Sequence, residues 1–465
     1  MRRIPIQFSP ASSKGDHPQT GSGRKINAII EQDEDGRKFV KRAPGLTRWS
    51  RALGTRTHTR GMIAANTGTL LVVYNAEVQS FNSAGVGSVR GALAGTDLVT
   101  LARNNAATPN VVGVSPASGP FVLSAAGAPG AYPDADVQSP IAVCFTGGYF
   151  FFMYGDRRCR ASGLNSTAIN SLDEIKAESS AGAGLRCVAF RGQLFLFCAD
   201  KIEVWQGDQP NASGFPFNRA TIIERGIAST NSVAGWENEF AAELIWAAPD
   251  NMVYQLRGYE PFRISTPTIE RDLQALTDKS SLRCFVAAHN GHPYFYLKSA
   301  TFTHVYDLLY SNWVERKSYS LERFRAEQCV YHFNDWIIGD ELTGDLWRLD
   351  ADTYQEGNDP LVWDIESDVT EDFPMNAPVK RADFNFVGSA GAIGADAPTV
   401  AISWSENGGT DYGTPLMRSL GDIGKYGNMV TLKRCGRMGS HGRKWRMVCG
   451  DRGYIGLAGG TMFLG

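Results

Sequence analysis

From Gly61 to about residue 355 the chain is a series of short apolar, β-rich runs separated by Gly, Asn and Asp turns, a layout that predicts strands rather than helices. The clearest unit runs Leu185–Phe190, a turn at Arg191 and Gly192, Gln193–Phe197, a turn at Ala199 and Asp200, then Lys201–Trp205. Three strands joined by two-residue turns predict an antiparallel meander. The same layout recurs at Met62–Phe81, Ile141–Arg160, Ser232–Arg257, Leu282–Trp313 and Ala326–Leu349, with a weaker copy over Val99–Leu123. A repeat every 30–50 residues, roughly, is the spacing of propeller blades.

Two short helices are expected between sheets. One is capped by Asn170 or Ser171, with Asp173 and Glu174 in its first turn, and the other covers Ile269–Leu276, where the apolar spacing is helical. The first 60 residues are polar, with strand-like text only at Ile26–Ile30 and Phe39–Val40. The acidic, turn-rich stretch Asp352–Asp372 closes the array near residue 356, and a further β-rich region runs from Pro378 onward. The expected architecture is all-β: a basic, extended N-terminal arm over residues 1–60, a β-propeller-like repeat array of six or seven sheets over 61–355, and a β-sandwich-like domain over 356–465.

Composition agrees with a folded chain rich in tight turns, at 43% hydrophobic, 11% aromatic and 20% charged residues with 50 glycines in 465. The longest apolar run, Ile141–Tyr154, is interrupted by Thr146, Gly147 and Gly148 and falls short of the ~20 residues that cross a bilayer. Polar residues follow the basic Met1–Pro5 where a signal peptide needs an apolar run. No membrane insertion and synthesis in a cytoplasm are therefore expected. The eight cysteines form no Cys-x-x-Cys pair and several lie inside apolar runs, which reads as buried free thiols.

Charge changes the picture more. Residues 1–60 carry 13 Lys/Arg against 5 Asp/Glu and residues 425–452 carry 8 against 1, which leaves 25 basic and 42 acidic side chains in the rest. Basic ends on an acidic body suit ring assembly or docking on an acidic partner.

Enzymatic signatures are missing: no phosphate-binding loop, zinc-protease helix, nucleophile elbow or dinucleotide fingerprint occurs. Asp200 with Glu203, or Asp345 with Asp350, fit hairpin turns better than a glycosidase pair. His289 and His292 flank an Asn290-Gly291 hairpin turn and read as solvent-facing, with no third metal ligand nearby. Ser405–Tyr412 resembles a sialidase-type Asp box, a structural hairpin whose Ser and Asn side chains bond the turn. No catalytic, cofactor-binding or metal-ligating residue is assigned, and no cofactor is expected. Basic and aromatic residues interleave at Lys433, Arg434, Arg437, Arg443, Lys444, Trp445 and Arg446, as in nucleic-acid binders, although a basic strand face in a subunit interface suits the acidic body better.

The text Ile402–Gly409, then Ser419–Gly421, Gly424–Gly427, Leu432–Arg437 and Arg443–Arg446 resembles the packaged-DNA stabilisation proteins of short-tailed bacteriophages, also called tail hub or nozzle proteins. Arg24–Ala28 and Ala43–Trp49 fit that family's opening, and Gly226–Ser229 and Phe262–Ser265 fit it more loosely. The resemblance implies a non-enzymatic virion tail protein, assembled in the host cytoplasm. Such a subunit forms a homo-oligomeric ring, a hexamer, below the portal and its head-to-tail adaptor. The ring extends the DNA channel, helps retain packaged DNA, and docks a tail needle or plug and tailspikes or fibres. An acidic lumen would let genomic DNA slide while the basic ends seat on neighbours, with Arg48, Trp49, Arg434, Arg437, Arg443, Lys444, Trp445 and Arg446 as candidate interface residues. The rival readings are a virion propeller that binds or hydrolyses host surface glycans, and a cellular propeller scaffold.

Overall fold

The computed structural model describes residues 2–13, 15, 21–32, 36–124, 127–207, 214–237, 240, 243–289, 291–373, 375–387, 398–421 and 429–465. Asn290 of the hairpin turn and the Gly424–Gly427 motif lie outside them.

Strands run through almost the whole described chain, and seven four-stranded meanders make up its larger part. Each begins with one of the strands Gly61–Asn66, Thr100–Arg103, Ala142–Thr146, Gly184–Phe190, Val233–Ala234, Arg283–His289 and Ala326–His332, and they are numbered here as blades 1 to 7. A β-sheet must bury an apolar face, and each blade does so against both neighbours. The apolar clusters alternate with the blades around a closed ring: Phe81 and Ile337 fill the gap between blades 7 and 1, Val73 and Val111 that between 1 and 2, Val112 and Phe152 that between 2 and 3. The remaining four gaps are filled in the same way, through to Tyr296 and Trp336 between blades 6 and 7.

The weak repeat at Val99–Leu123 is thus a full blade, muted in sequence because its outer strand is only Gly130–Ala131. The segment expected as a helix capped by Asn170 or Ser171 is instead the outer strand Ile169–Lys176 of blade 3. Its Glu174 faces Arg160 across the pair, 2.8 Å from the guanidinium, and Asn170 bonds the Leu172 amide inside the strand rather than capping a helix. The second expected helix forms at Pro267–Ala275, with Pro267 in its first turn and Ile269 and Leu273 buried one turn apart.

The chain beyond blade 7 builds a two-sheet sandwich. One sheet orders Ala28–Gln32, Lys38–Arg42, Gly456–Leu464, Ala377–Val387 and Met429–Lys433, with Arg2–Ile6 also paired to Gly456–Leu464. The other orders Trp363–Glu366, Lys444–Cys449, Thr399–Ser405 and Leu416–Ser419. Phe384, Val400, Trp445 and Met462 interdigitate between them, and the Phe384 and Trp445 rings meet edge-on at 5.2 Å.

The N-terminal segment runs extended through both bodies. Gly45–Arg51 pairs with Asp345–Asp350 as the outer strand of blade 7. Lys25–Ile26 lies between the outer strand of blade 6 and Trp363–Glu366, so that blade 6 and the sandwich form one continuous nine-stranded sheet.

Arg24 reinforces that junction, with Nε 3.1 Å from Glu315 Oε1 and Nη2 2.5 Å from Oε2, while Ser12 Oγ donates to Oε1 at 2.8 Å. Burial pushes the Glu315 pKa up, but the Arg24 guanidinium outweighs it and holds the carboxyl at about 2. A folded-state pKa below the unfolded value near 4.5 gives stability that is present above that pH and lost as pH falls toward 2. Glu315→Gln is expected to cost roughly 2 kcal/mol near neutrality. The cost should shrink as denaturation curves are taken down through that acid window, and a pH-independent cost would contradict this.

Candidate interaction surfaces

The structure divides the basic C-terminal stretch into an interior and an exterior part. Lys444–Cys449 is the strand next to Trp363–Glu366 in the sandwich, so Trp445 points into the core and is fully buried. Arg443 enters just before this strand, 1% exposed. Its guanidinium lies over the Trp404 and Trp445 rings at 5.0 and 5.4 Å, donates to the Cys435 carbonyl at 2.7 Å, and pairs with Glu406. Burial lowers the pKa of this arginine from its ordinary value, while Glu406 opposes the shift. Lys444 is also buried, 4.0 Å from Glu366, and Arg446 holds Asp364 in a fork at 2.9 and 2.6 Å. Burial inside the chain takes Arg443, Lys444 and Trp445 off the candidate interface: their charge and rings are spent on the sandwich itself.

Arg434 and Arg437 are exposed, and Arg48 is exposed 3.8 Å from Asp345. Trp49 is half-buried where blades 7 and 1 meet, with its ring 6.1 Å from Phe81, 5.8 Å from Phe333 and 5.6 Å from the Arg348 guanidinium.

Strand register adds cations that no local motif reveals. Arg3 is paired with Phe463, Phe463 with Arg381, and Arg381 with Lys433, which sets four side chains in one transverse row across the sandwich sheet. Neighbouring strands are about 4.8 Å apart, so the row spans roughly 14 Å. A bulge places Lys380 beside the row, and the Arg434 amide donates to the Lys380 carbonyl at 2.9 Å. Pro378, Val379, Lys380, Arg381, Lys433, Arg434 and Gly436 line an open groove of about 630 Å³ there. The sequence signal was limited to Lys433 and Arg434, since Arg3 and Lys380 are brought alongside by long-range pairing.

The residues weighed for chemistry are engaged otherwise. Asp200 accepts from the Ala181 and Gly182 amides in its turn, and Glu203 is buried with Ser179 and Trp205 as donors. Asp345 faces Arg51, and Asp350 accepts from Thr47 and Thr353. His289 and His292, expected as solvent-facing, are half-buried: burial and then Lys41 lower the His289 pKa to about 4, and His292 stacks on Tyr294. The Ser405–Tyr412 hairpin has the expected turn geometry, with Gly409 N donating to Ser405 Oγ at 2.9 Å and Asp411 N to Asn407 Oδ1 at 3.0 Å. Among the described residues no group of three or more His, Cys, Asp or Glu could hold a metal, no helix is long and apolar enough to cross a membrane, and all eight cysteines are free thiols.

One half-buried carboxyl stands out beside the inner strands of the propeller. Glu237 accepts from the Gly235 amide at 2.6 Å and the Val286 amide at 3.2 Å, and desolvation raises its pKa to about 7 against those bonds and Arg186. The folded protein therefore keeps this proton between about pH 4.5 and pH 7, where the unfolded chain has lost it, so stability falls as pH rises through that interval. Glu237→Gln is expected to stabilise by about 1 kcal/mol above neutrality, with no gain at about pH 5. Equal melting shifts at both pH values would reject the assignment.

Comparison with known proteins decides the family. Residues 23–354 match the bacteriophage P22 Gp10 β-propeller family, and residues 374–461 match the bacteriophage P22 Gp10 β-sandwich family. The chain belongs to the P22 Gp10 family. It is accordingly a structural bacteriophage tail protein and a component of the virion. In this Gp10-family chain the first matched segment spans all seven blades, and the second lies within the sandwich, whose strands Arg2–Ile6, Ala28–Gln32, Lys38–Arg42 and Trp363–Glu366 fall outside it. No curated protein matches the chain in sequence. Among solved structures, the WD40 β-propeller domain of Doa1 is similar at 9% identity and a TM-score of 0.43, covering 66% of this chain and 98% of its own. The RRP9 WD40 repeats give 10%, 0.45, 66% and 98%, and BamB from Moraxella catarrhalis gives 10%, 0.39, 65% and 97%.

Proposed function

We propose that this Gp10-family protein is the nozzle subunit of a short phage tail. Several copies form a ring, a hexamer by family resemblance, below the portal and its head-to-tail adaptor. The ring continues the DNA channel, helps retain packaged DNA, and offers docking surfaces for a tail needle or plug and for tailspikes or fibres. No bond is made or broken, and the subunit is assembled onto heads in the host cytoplasm.

The observation that carries this reading is the continuous sheet from blade 6 through Lys25–Ile26 into the sandwich. It supports a rigid two-body subunit, because hinge motion would have to break ladder hydrogen bonds rather than flex a linker. A ring that bears the pressure of packaged DNA needs that stiffness. The exposed cations Arg48 and Arg437 remain candidates for contacts with neighbours.

The test uses DNA-filled heads that carry the adaptor but lack the tail. Added chain should co-sediment with them and reduce the fraction of DNA open to nuclease. No binding to such heads would overturn the nozzle reading in favour of a peripheral, glycan-contacting tail protein.

A further inference from the structure

The basic row on the sandwich does something that the fold does not require. Phe463 lies between two guanidinium groups, 5.6 Å from Arg3 and 4.3 Å from Arg381, so both are held over one ring instead of ranging through solvent. Asp383 pairs with Arg381, but Lys380, Lys433 and Arg434 form no ion pair among the described residues. Arg434 sits in the left-handed region at φ 57°, a conformation that costs a non-glycine residue roughly 1 kcal/mol. Two backbone bonds hold it there: its own amide to Lys380 O, and Cys435 N to Val379 O at 3.0 Å. The consequence is a dense group of like charges that repel one another with one carboxylate to offset them.

We propose that this face binds double-stranded DNA through its phosphates. A protein interface of useful strength is built around a buried apolar or aromatic anchor and is depleted in lysine. This row has the opposite make-up, since its one aromatic ring is already covered by Arg3 and Arg381 and the remaining side chains are cations. Phosphate contacts need only such cations and carry no sequence information, which suits an open groove without a shaped pocket. The inference deepens the nozzle reading by naming the surface that meets the genome. An acidic body that lets DNA slide and a small basic face that holds it would together oppose leakage without blocking passage.

The experiment titrates the full chain against a labelled short duplex and follows anisotropy from about 50 to about 200 mM salt. Binding should weaken with salt, and the triple variant Lys380→Gln, Lys433→Gln, Arg434→Asn should flatten the log–log slope by about 3, near 1 per cation removed. Affinity at the low-salt end should fall about tenfold or more. A control triple variant on exposed propeller cations, Lys176→Gln, Arg225→Gln, Arg257→Gln, should bind as the parent does. Undetectable binding by the parent, or equal losses in both variants, overturns the proposal. So does capture of an acidic tail protein through the same three cations by a chain that ignores DNA. The duplex titration needs no heads, so DNA binding with failed head attachment would remove the nozzle reading alone.

Discussion

A chain that starts at residue 53 is expected to lose cooperative folding of the propeller. Gly45–Arg51 is the outer strand of blade 7, and among the described residues no other segment pairs with Asp345–Asp350 on that side. Leu46 is fully buried between blades 6 and 7 beside Ile29 and Ala43, while Ile30 and Val40 are buried in the sandwich core. Burying four such large side chains contributes about 1.5–3 kcal/mol each, so their loss approaches the entire 5–15 kcal/mol that holds a typical domain together. Removal of residues 2–8 alone should be far milder, because it uncovers one edge of Gly456–Leu464 and leaves blade 7 closed. Thermal melts by near-ultraviolet circular dichroism distinguish the cases. A sharp transition in the long truncation, near that of the parent, would contradict ring closure by the N-terminal strand.

The second large effect is at Arg443. Replacing it with alanine is expected to cost about 2–4 kcal/mol, since the change leaves the Cys435 carbonyl without its donor and a gap beside Trp404 and Trp445, while the exposed Glu406 only loses its cation. Arg437→Ala, on the exposed side of the same basic stretch, should stay within about 0.5 kcal/mol. Denaturant titration of both variants measures the contrast. Similar small losses would mean that the basic tail is a surface feature throughout.

Much of the propeller was legible because inner blade strands such as Thr69–Val73, Tyr149–Met153 and Gln193–Cys198 are buried on both faces and read as short apolar runs between turn residues. The outer strands were not. Ile169–Lys176 exposes Leu172 and carries Asn170, Asp173 and Glu174, so its local text imitates a capped helix, and only pairing with Arg158–Ser162 makes it a strand. The Ser405–Asp411 turn was readable for the opposite reason, since its bonds reach no further than four residues. For the basic tail, sequence could register charge and aromatic character but not facing. Arg443 and Arg434 look equivalent along the chain, yet one lies buried over two indole rings and the other lies open beside Lys380. The DNA-facing row proposed here depends on pairing among strands from both ends of the chain, which a local pattern does not encode.

The measurement that tests the central claim most directly is an electron cryomicroscopy map of the tail of the intact particle. The account predicts a ring of copies of this chain coaxial with the portal, each fitting as one rigid propeller and sandwich, with genomic DNA on the axis. Copies found only at the periphery of the tail, away from the DNA axis, would contradict it.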